Sequence, residues 1–213
     1  MVYERWPQQF KIDEICQFLQ KEVFPLEPIH QAKSFGGWSI LSSNGDYRDG
    51  WHQGHHLYRA DLDVGKVRQK LRESAVKNES EYVVPTRLCS GPIKELIDFV
   101  AYSRLEPSRA RIIRLTPGMS CSWHMDAPID QYAVRLHVPL ITNSGCFFET
   151  ETERAHLPAD GAAYFLFVNR LHRVINEGSS FRYHLVMDVR DSNQVSKFHR
   201  LEDFSGRAIK STT

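Results

Sequence analysis

Cysteine is sparse in this 213-residue chain: Cys16, Cys89, Cys121 and Cys146 include no C-x-x-C pair. A chain of this length builds a core without disulfides, so a disulfide-stapled scaffold is excluded and the four read as reduced thiols of a cytosolic protein. Excess charge is also missing. Lys and Arg number 27 against 26 Asp and Glu, a net charge of +1, which leaves no basic footprint for nucleic acid and argues against work on duplexes. No apolar run approaches membrane-spanning length, so no membrane partner is expected. The opening Met1-Val2-Tyr3-Glu4-Arg5-Trp6-Pro7 lacks the apolar segment of a secretory signal, and cytoplasm is the expected compartment. Internal repeats, low-complexity tracts and linkers are absent, and no feature sets an oligomeric state. An apolar content of 41% rules out wholesale disorder, and the length suits one well-buried domain.

What is present divides into a helical first half and a strand-rich second half. Ile12, Ile15, Phe18, Leu19 and Val23 recur at helical spacing, which predicts an amphipathic helix over 12–23 that stops before Pro25. Phe35 to Ser42 reads as a strand entering the turn Asn44-Gly45, and Val64 to Val76 as a helix whose Lys and Arg over 66–72 form a solvated face. Ser90-Gly91-Pro92 is a helix start, with Ile93, Leu96, Ile97 and Val100 directed inward. From Arg109 the pattern changes to short strands separated by turns: 109–116, 119–125, 132–140, 146–150, 154–158, 162–168, 172–176 and 181–189. Strands of this number and spacing suit a jelly roll or cupin-like barrel, and helices followed by strands make the fold class α+β, with helices buttressing one sheet.

The chemistry concentrates in that second half. His124 and Asp126 stand two apart, so on a strand they face the same way while Met125 faces the other. His172 ends the buried run 162–168 and its turn at Asn169-Arg170. Two imidazoles and one carboxylate can grip one face of an iron(II) ion and leave the opposite face open. Ten residues past His172, Arg182 shares a strand face with His184 and Val186. An inward arginine needs an anion, and a planar guanidinium matches a carboxylate in bidentate fashion, which suits the distal carboxylate of a 2-oxoglutarate co-substrate. Taken singly, His-x-Asp is a common turn dipeptide and a buried histidine is usually a hydrogen-bonded core residue; the conjunction with a following arginine carries the metal reading. His137, sharing a face with Arg135, and His184, sharing one with Arg182, read either as contacts to the co-substrate site or as core histidines bonded to backbone. The cluster Trp51 to His56 reads as a loop over the active site rather than a second metal site. Trp38 and Trp123 read as packing residues, with lining of the pocket as the alternative for either.

Several of these segments resemble the aspartyl/asparaginyl β-hydroxylase family, which is similar in turn to bacterial proline hydroxylases. The matching stretches are Leu115-Thr116-Pro117-Gly118 leading to His124, Arg135-Leu136-His137-Val138-Pro139-Leu140, and Gly145-Cys146. They continue with His172-Arg173-Val174-Ile175-Asn176, Ser179-Ser180-Phe181-Arg182 and Met187-Asp188-Val189, and more weakly with Gly36-Gly37-Trp38 upstream. The resemblance implies a double-stranded β-helix and hydroxylation of an amino-acid side chain with iron(II), 2-oxoglutarate and O2, ascorbate serving as reductant in vitro. It implies that His124 and His172 bind iron, that Arg182 binds the distal carboxylate, and that Arg135 and His137 lie near the inner carboxylate or an acidic group of the substrate. The family's animal peptide hydroxylases lack the carboxylate ligand that Asp126 supplies here, so this chain stands nearer the proline-hydroxylase side. The expected organisation is one catalytic domain over 1–213, with a helical and substrate-loop region over residues 1–108, a β-helix core over 109–190 and a polar tail over 191–213. The expected substrate is an amino acid, free or carried on a peptide or carrier protein. The alternatives are a related oxidase that desaturates or closes a ring, and a non-catalytic cupin-like module that binds a metal or ligand. Asp126 argues against halogenation, which needs a small residue there to admit halide, and Arg182 argues against the binding module, which has no use for it.

Overall fold

The apolar runs after Arg104 fold as two antiparallel sheets stacked face to face. A computed structural model describes residues 3–30, 34–49, 56–58, 79–126, 134–168 and 171–191. In chain order its elements are β1 (Tyr3–Gln9), α1 (Ile12–Phe18), β2 (Ile29–His30), β3 (Phe35–Ser39), β4 (Leu41–Ser42), β5 (His56–Tyr58), β6 (Val84–Pro85), α2 (Gly91–Tyr102) and β7 (Leu105–Leu115). There follow β8 (Met119–Ser120), β9 (His124–Asp126), β10 (Val134–Ile141), β11 (Cys146–Thr150), β12 (Arg154–Ala155), β13 (Ala162–Phe167), β14 (His172–Asn176) and β15 (Arg182–Asp191). The larger sheet has the order β1-β13-β10-β15-β7-β3-β2, and the smaller β12-β11-β14-β9-β5 with β8 beside β14. From β7 onward the chain passes back and forth between the two sheets, which makes the architecture a double-stranded β-helix.

Two apolar layers hold it. One, between the larger sheet and the helices, contains Trp38, Ile112, Leu136, Val138 and Leu185 against Ile93, Leu96, Ile97 and Val100 of α2. Each fully buried side chain of this kind contributes on the order of 2 kcal/mol. The other lies between the sheets and contains Leu115, Phe148, Tyr164, Leu166 and Val174. Ser90 takes the extended backbone of an N-cap with proline in the first turn of α2, as the sequence indicates, although its hydroxyl makes no capping bond. The helix expected over 12–23 begins as α1 and finishes as a π-helical turn, Leu19–Val23, closed by Phe24 N–H donating to the Leu19 carbonyl at 2.8 Å.

Three differences from the strand pattern have physical causes. The stretch 119–125 is broken because Cys121 interrupts the ladder with its side chain: Val174 N–H donates to its Sγ at 3.0 Å. β10 carries a bulge between Pro139 and Ile141, where proline has no N–H to offer β15. β1 is hidden in the sequence by Pro7 and two glutamines; it forms an edge of the larger sheet, anchored by Trp6, whose ring meets Phe10 edge-on and Phe99 and Phe165 at a tilt. Among the described residues no helix is long and apolar enough to cross a membrane, and all four cysteines are free. The expected helix Val64–Val76, the Asn169-Arg170 turn and the polar tail beyond 191 lie outside the described residues.

Candidate active site

β9 and β14 lie side by side in the smaller sheet with His124 and His172 as register partners, and their rings stand 4.4 Å apart between centroids. Strand alternation brings Asp126 to the same side as His124, and Asp126 N–H donates to the Val168 carbonyl at 3.0 Å, which fixes the end of β9. One donor atom from each of His124, Asp126 and His172 falls within 4.8 Å of the other two. His124 Nε2 lies 3.7 Å from Asp126 Oδ1, and His172 Nε2 lies 3.6 Å from Asp126 Oδ2.

The protonation pattern suits a divalent cation. His124 Nδ1 sits 2.7 Å from the Ser122 carbonyl, which can only accept, so Nδ1 carries the ring proton and Nε2 keeps its lone pair toward Asp126. The His172 ring is stacked on Phe148 at 5.0 Å and 23°, so its plane is set by packing. Two imidazole nitrogens and one carboxylate oxygen on one face fit iron(II).

A second group faces the space between the sheets from the larger one. Arg182, buried on β15 opposite Leu115, donates from Nε to His184 Nε2 at 3.0 Å, and its Nη2 lies 2.7 Å from His184 Nδ1. Among the described residues no carboxylate pairs with Arg182, and burial pushes its guanidinium down to about 10, still protonated at neutral pH. Burial, and then the charge of Arg182, hold both His184 and His137 well below the usual imidazole range, so both are neutral. His137 Nδ1 is buried without a hydrogen-bond partner among the described residues. Asn176 ties this arrangement together: its Nδ2 donates to the Leu115 carbonyl at 3.2 Å and to the Ser180 carbonyl at 2.8 Å. These bonds clamp the turn that carries the chain from His172 in one sheet to Arg182 in the other.

Arg135 lies in the same space, next to Asp126. Its Nη1 stands 2.5 Å from Asp126 Oδ2, its Nε donates to Asp188 Oδ1 at 2.7 Å, and its Nη2 stands 3.5 Å from Glu79 Oε1. Glu79, in a short 3-10 turn over Glu79–Glu81, also pairs with Arg109, and Arg111 is buried in the same cluster. Burial, with the like charges of Arg109 and Arg135 adding to it, lowers Arg111 to about 9. Glu79, Arg109 and Arg111 have no role assigned from the sequence, and Asp188 stands there only inside a motif. For Arg111 and Asp188 the signal is a charged residue inside an otherwise apolar strand run, whereas Arg109 sits at an irregularity of the β7–β15 ladder with φ 47° and Glu79 in a turn, and neither carries one. Trp38 is a core residue, 2% exposed. Trp123 packs under the Arg173 guanidinium, itself bonded to Glu149 on the smaller sheet. The Trp51 to His56 cluster lies outside the described residues except for the backbone of His56.

The sequence model of the family described as aspartyl/asparaginyl beta-hydroxylase matches residues 72–192, more than half of the chain. Among solved structures, the chain is similar to the viral collagen prolyl hydroxylase of Paramecium bursaria Chlorella virus-1 at 15% identity, covering 90% of this chain and 97% of that one with a TM-score of 0.46. It is similar to a Pseudomonas putida prolyl-4-hydroxylase at 13% identity, covering 90% and 94% with a TM-score of 0.41. It is also similar to a Burkholderia pseudomallei oxidoreductase of the 2OG-Fe(II) oxygenase family at 13% identity, covering 84% and 77% with a TM-score of 0.45. No curated protein matches the sequence.

Proposed function

Since the chain belongs to the aspartyl/asparaginyl β-hydroxylase family, and is thus an iron(II)- and 2-oxoglutarate-dependent dioxygenase, we propose that it hydroxylates the side chain of an amino acid, free or carried on a peptide or carrier protein. The observation that carries this reading is the meeting of His124, Asp126 and His172 beside a buried arginine with no carboxylate of its own among the described residues. We take 1–213 as one catalytic unit acting in the cytoplasm, a setting supported by four free thiols.

In this reading His124, Asp126 and His172 hold the iron. Iron with 2-oxoglutarate and O2 supplies the oxidant: one oxygen atom enters the substrate C–H bond, the other leaves in succinate, and carbon dioxide is released. The chain's own residues bind and exclude. Arg182 donates to the distal carboxylate, and the anion offsets the cost of burying an unpaired guanidinium. His184 is neutral and orients Arg182 without competing for the anion. His137, with Nδ1 unpartnered among the described residues, stands ready for the inner end of the co-substrate, and Arg135 flanks it on the same strand face. The ionic cluster of Arg109, Arg111 and Arg135 against Glu79, Asp126 and Asp188 is formally neutral. Arg182 and a divalent metal then bring three positive charges to the site, of which a dianion offsets two.

The test is succinate formation from 2-oxoglutarate with iron(II), ascorbate and O2, across free L-amino acids and short peptides, with Asp126→Ala as control. Stimulation by one free amino acid, lost in the control, supports small-molecule hydroxylation. Stimulation by peptides alone moves the substrate to a peptide or carrier. Absence of any turnover, coupled or uncoupled, together with no anaerobic iron–2-oxoglutarate absorption, overturns the reading.

A further inference from the structure

We infer that Arg135 is a positioning residue for the metal ligand Asp126. Its guanidinium holds Asp126 Oδ2 and thereby presents Oδ1 to the cation, while Asp188 and Glu79 hold the guanidinium. The inference rests on the iron-centre reading above and deepens it.

The geometry assigns three nitrogens of one side chain to three carboxylates: Nη1 to Asp126 at 2.5 Å, Nε to Asp188 at 2.7 Å and Nη2 to Glu79 at 3.5 Å. A guanidinium is planar, so fixing two of its nitrogens fixes the direction of the third. Asp188 is well placed for this because it is the register partner of Arg135 across β10 and β15, in the middle of the larger sheet. Glu79 is held in turn by Arg109. The chain of contacts runs from the rigid larger sheet to a ligand on β9, a three-residue strand of the smaller sheet. The backbone bond to Val168 fixes the end of β9 but not the rotation of the carboxylate; the ion pair with Arg135 supplies that. Oδ2 lies 3.6 Å from His172 Nε2 but is taken up by the guanidinium, so Oδ1, 3.7 Å from His124 Nε2, is the oxygen left for the cation. Partners that orient metal ligands in this way typically tune affinity about 10–100-fold. An arginine engaged by three protein carboxylates has few donors left for a co-substrate, so its effect falls on the metal first.

The decisive variant is Arg135→Lys. It keeps the positive charge, so repulsion of the cation is unchanged, but a lysine cannot join three carboxylates in one plane. Mn(II) affinity is measured by titration calorimetry without 2-oxoglutarate. The Co(II) absorption spectrum reports ligand geometry, and circular dichroism reports the fold. We expect Arg135→Lys to bind Mn(II) about tenfold more weakly and to change the Co(II) spectrum. Asp188→Asn should shift both in the same direction by less. Arg182→Ala should change neither. Wild-type Mn(II) affinity and an unchanged Co(II) spectrum in Arg135→Lys, with a rise only in the 2-oxoglutarate dissociation constant, would make Arg135 a co-substrate ligand and overturn the inference. Tighter Mn(II) binding in Arg135→Met would also overturn it, since the guanidinium would then merely compete with the metal. Failure of the wild-type protein to bind Mn(II) or Co(II) would instead bring down the iron-centre reading itself.

Discussion

Arg182 and its two histidines show how the choice of a single residue sets the chemistry of the site. A buried guanidinium with no carboxylate among the described residues needs other partners, and His184 supplies one as a neutral acceptor at 3.0 Å, leaving the charge itself for an anion to offset. Arg182→Ala should raise the KM for 2-oxoglutarate by about 30–150-fold, the loss of roughly 2–3 kcal/mol of charge-assisted hydrogen bonding, with Mn(II) affinity retained. Steady-state kinetics at varied co-substrate beside Mn(II) titration separates the two effects. The histidines carry a pH signature of their own. Each has an ordinary value near 6.5 in the unfolded chain and lies well below it when folded. The unfolded state therefore takes up more protons as pH falls, so the stability is fully present above about pH 6.5 and is lost below it. The loss grows as pH falls below that value. Urea unfolding of His184→Gln between about pH 7.5 and 5.5 should show a smaller loss than the wild type; an identical profile would mean that His184 is not held neutral.

At the scale of elements, the turn between β14 and β15 does the positioning. Gly145, at the entrance to β11, approaches the backbone of Gly178 so closely that a Cβ there would meet Gly178 N at 2.5 Å, and Glu177 N–H donates to the Gly145 carbonyl at 2.8 Å. Gly145→Ala must push this turn away, and should destabilise the fold by about 1–3 kcal/mol with a rise in the KM for 2-oxoglutarate as Arg182 moves relative to His172. Chemical denaturation and kinetics on the same preparation check this; unchanged values in both would show that the turn has slack. The sequence places glycine and asparagine here but does not reveal the clamp, because the Leu115 carbonyl that Asn176 bonds lies 61 residues away in the chain. The same limit hides β1, whose Pro7 and glutamines give no alternation and whose strand conformation comes from pairing with β13.

For the molecule as a whole, two sheets whose strands interleave along the chain each supply half of the site. The metal-binding set sits on β9 and β14 of the smaller sheet; Arg135, His137, Arg182 and His184 sit on β10 and β15 of the larger. A cation that bridges His124, Asp126 and His172 ties β9 to β14 and binds only the folded chain. Mn(II) at about 100 times its dissociation constant should therefore add about 2.7 kcal/mol, or about 5–10 °C in Tm. Differential scanning calorimetry with and without chelator measures it. Asp126→Ala should abolish the shift, and an equal shift in that variant would place the cation elsewhere.

The sequence by itself determined the residue types, the strand-rich second half and the family. His124 and Asp126 share a strand face at any position in any sheet, and the alternation in 181–189 sets Arg182 and His184 on one side whatever they face. α2 was legible for the same local reason, as its cap, proline and inward apolar residues all lie within 90–100. What only the tertiary structure decided is which ionic groups meet. Arg135 and Asp188 are 53 residues apart yet share one rung of β10 and β15, and Glu79 reaches them from a turn that precedes both sheets' core strands. Local spacing governs which way a side chain points, but the partner across the ladder is set by sheet order and register, which depend on burying the apolar faces of the whole barrel at once.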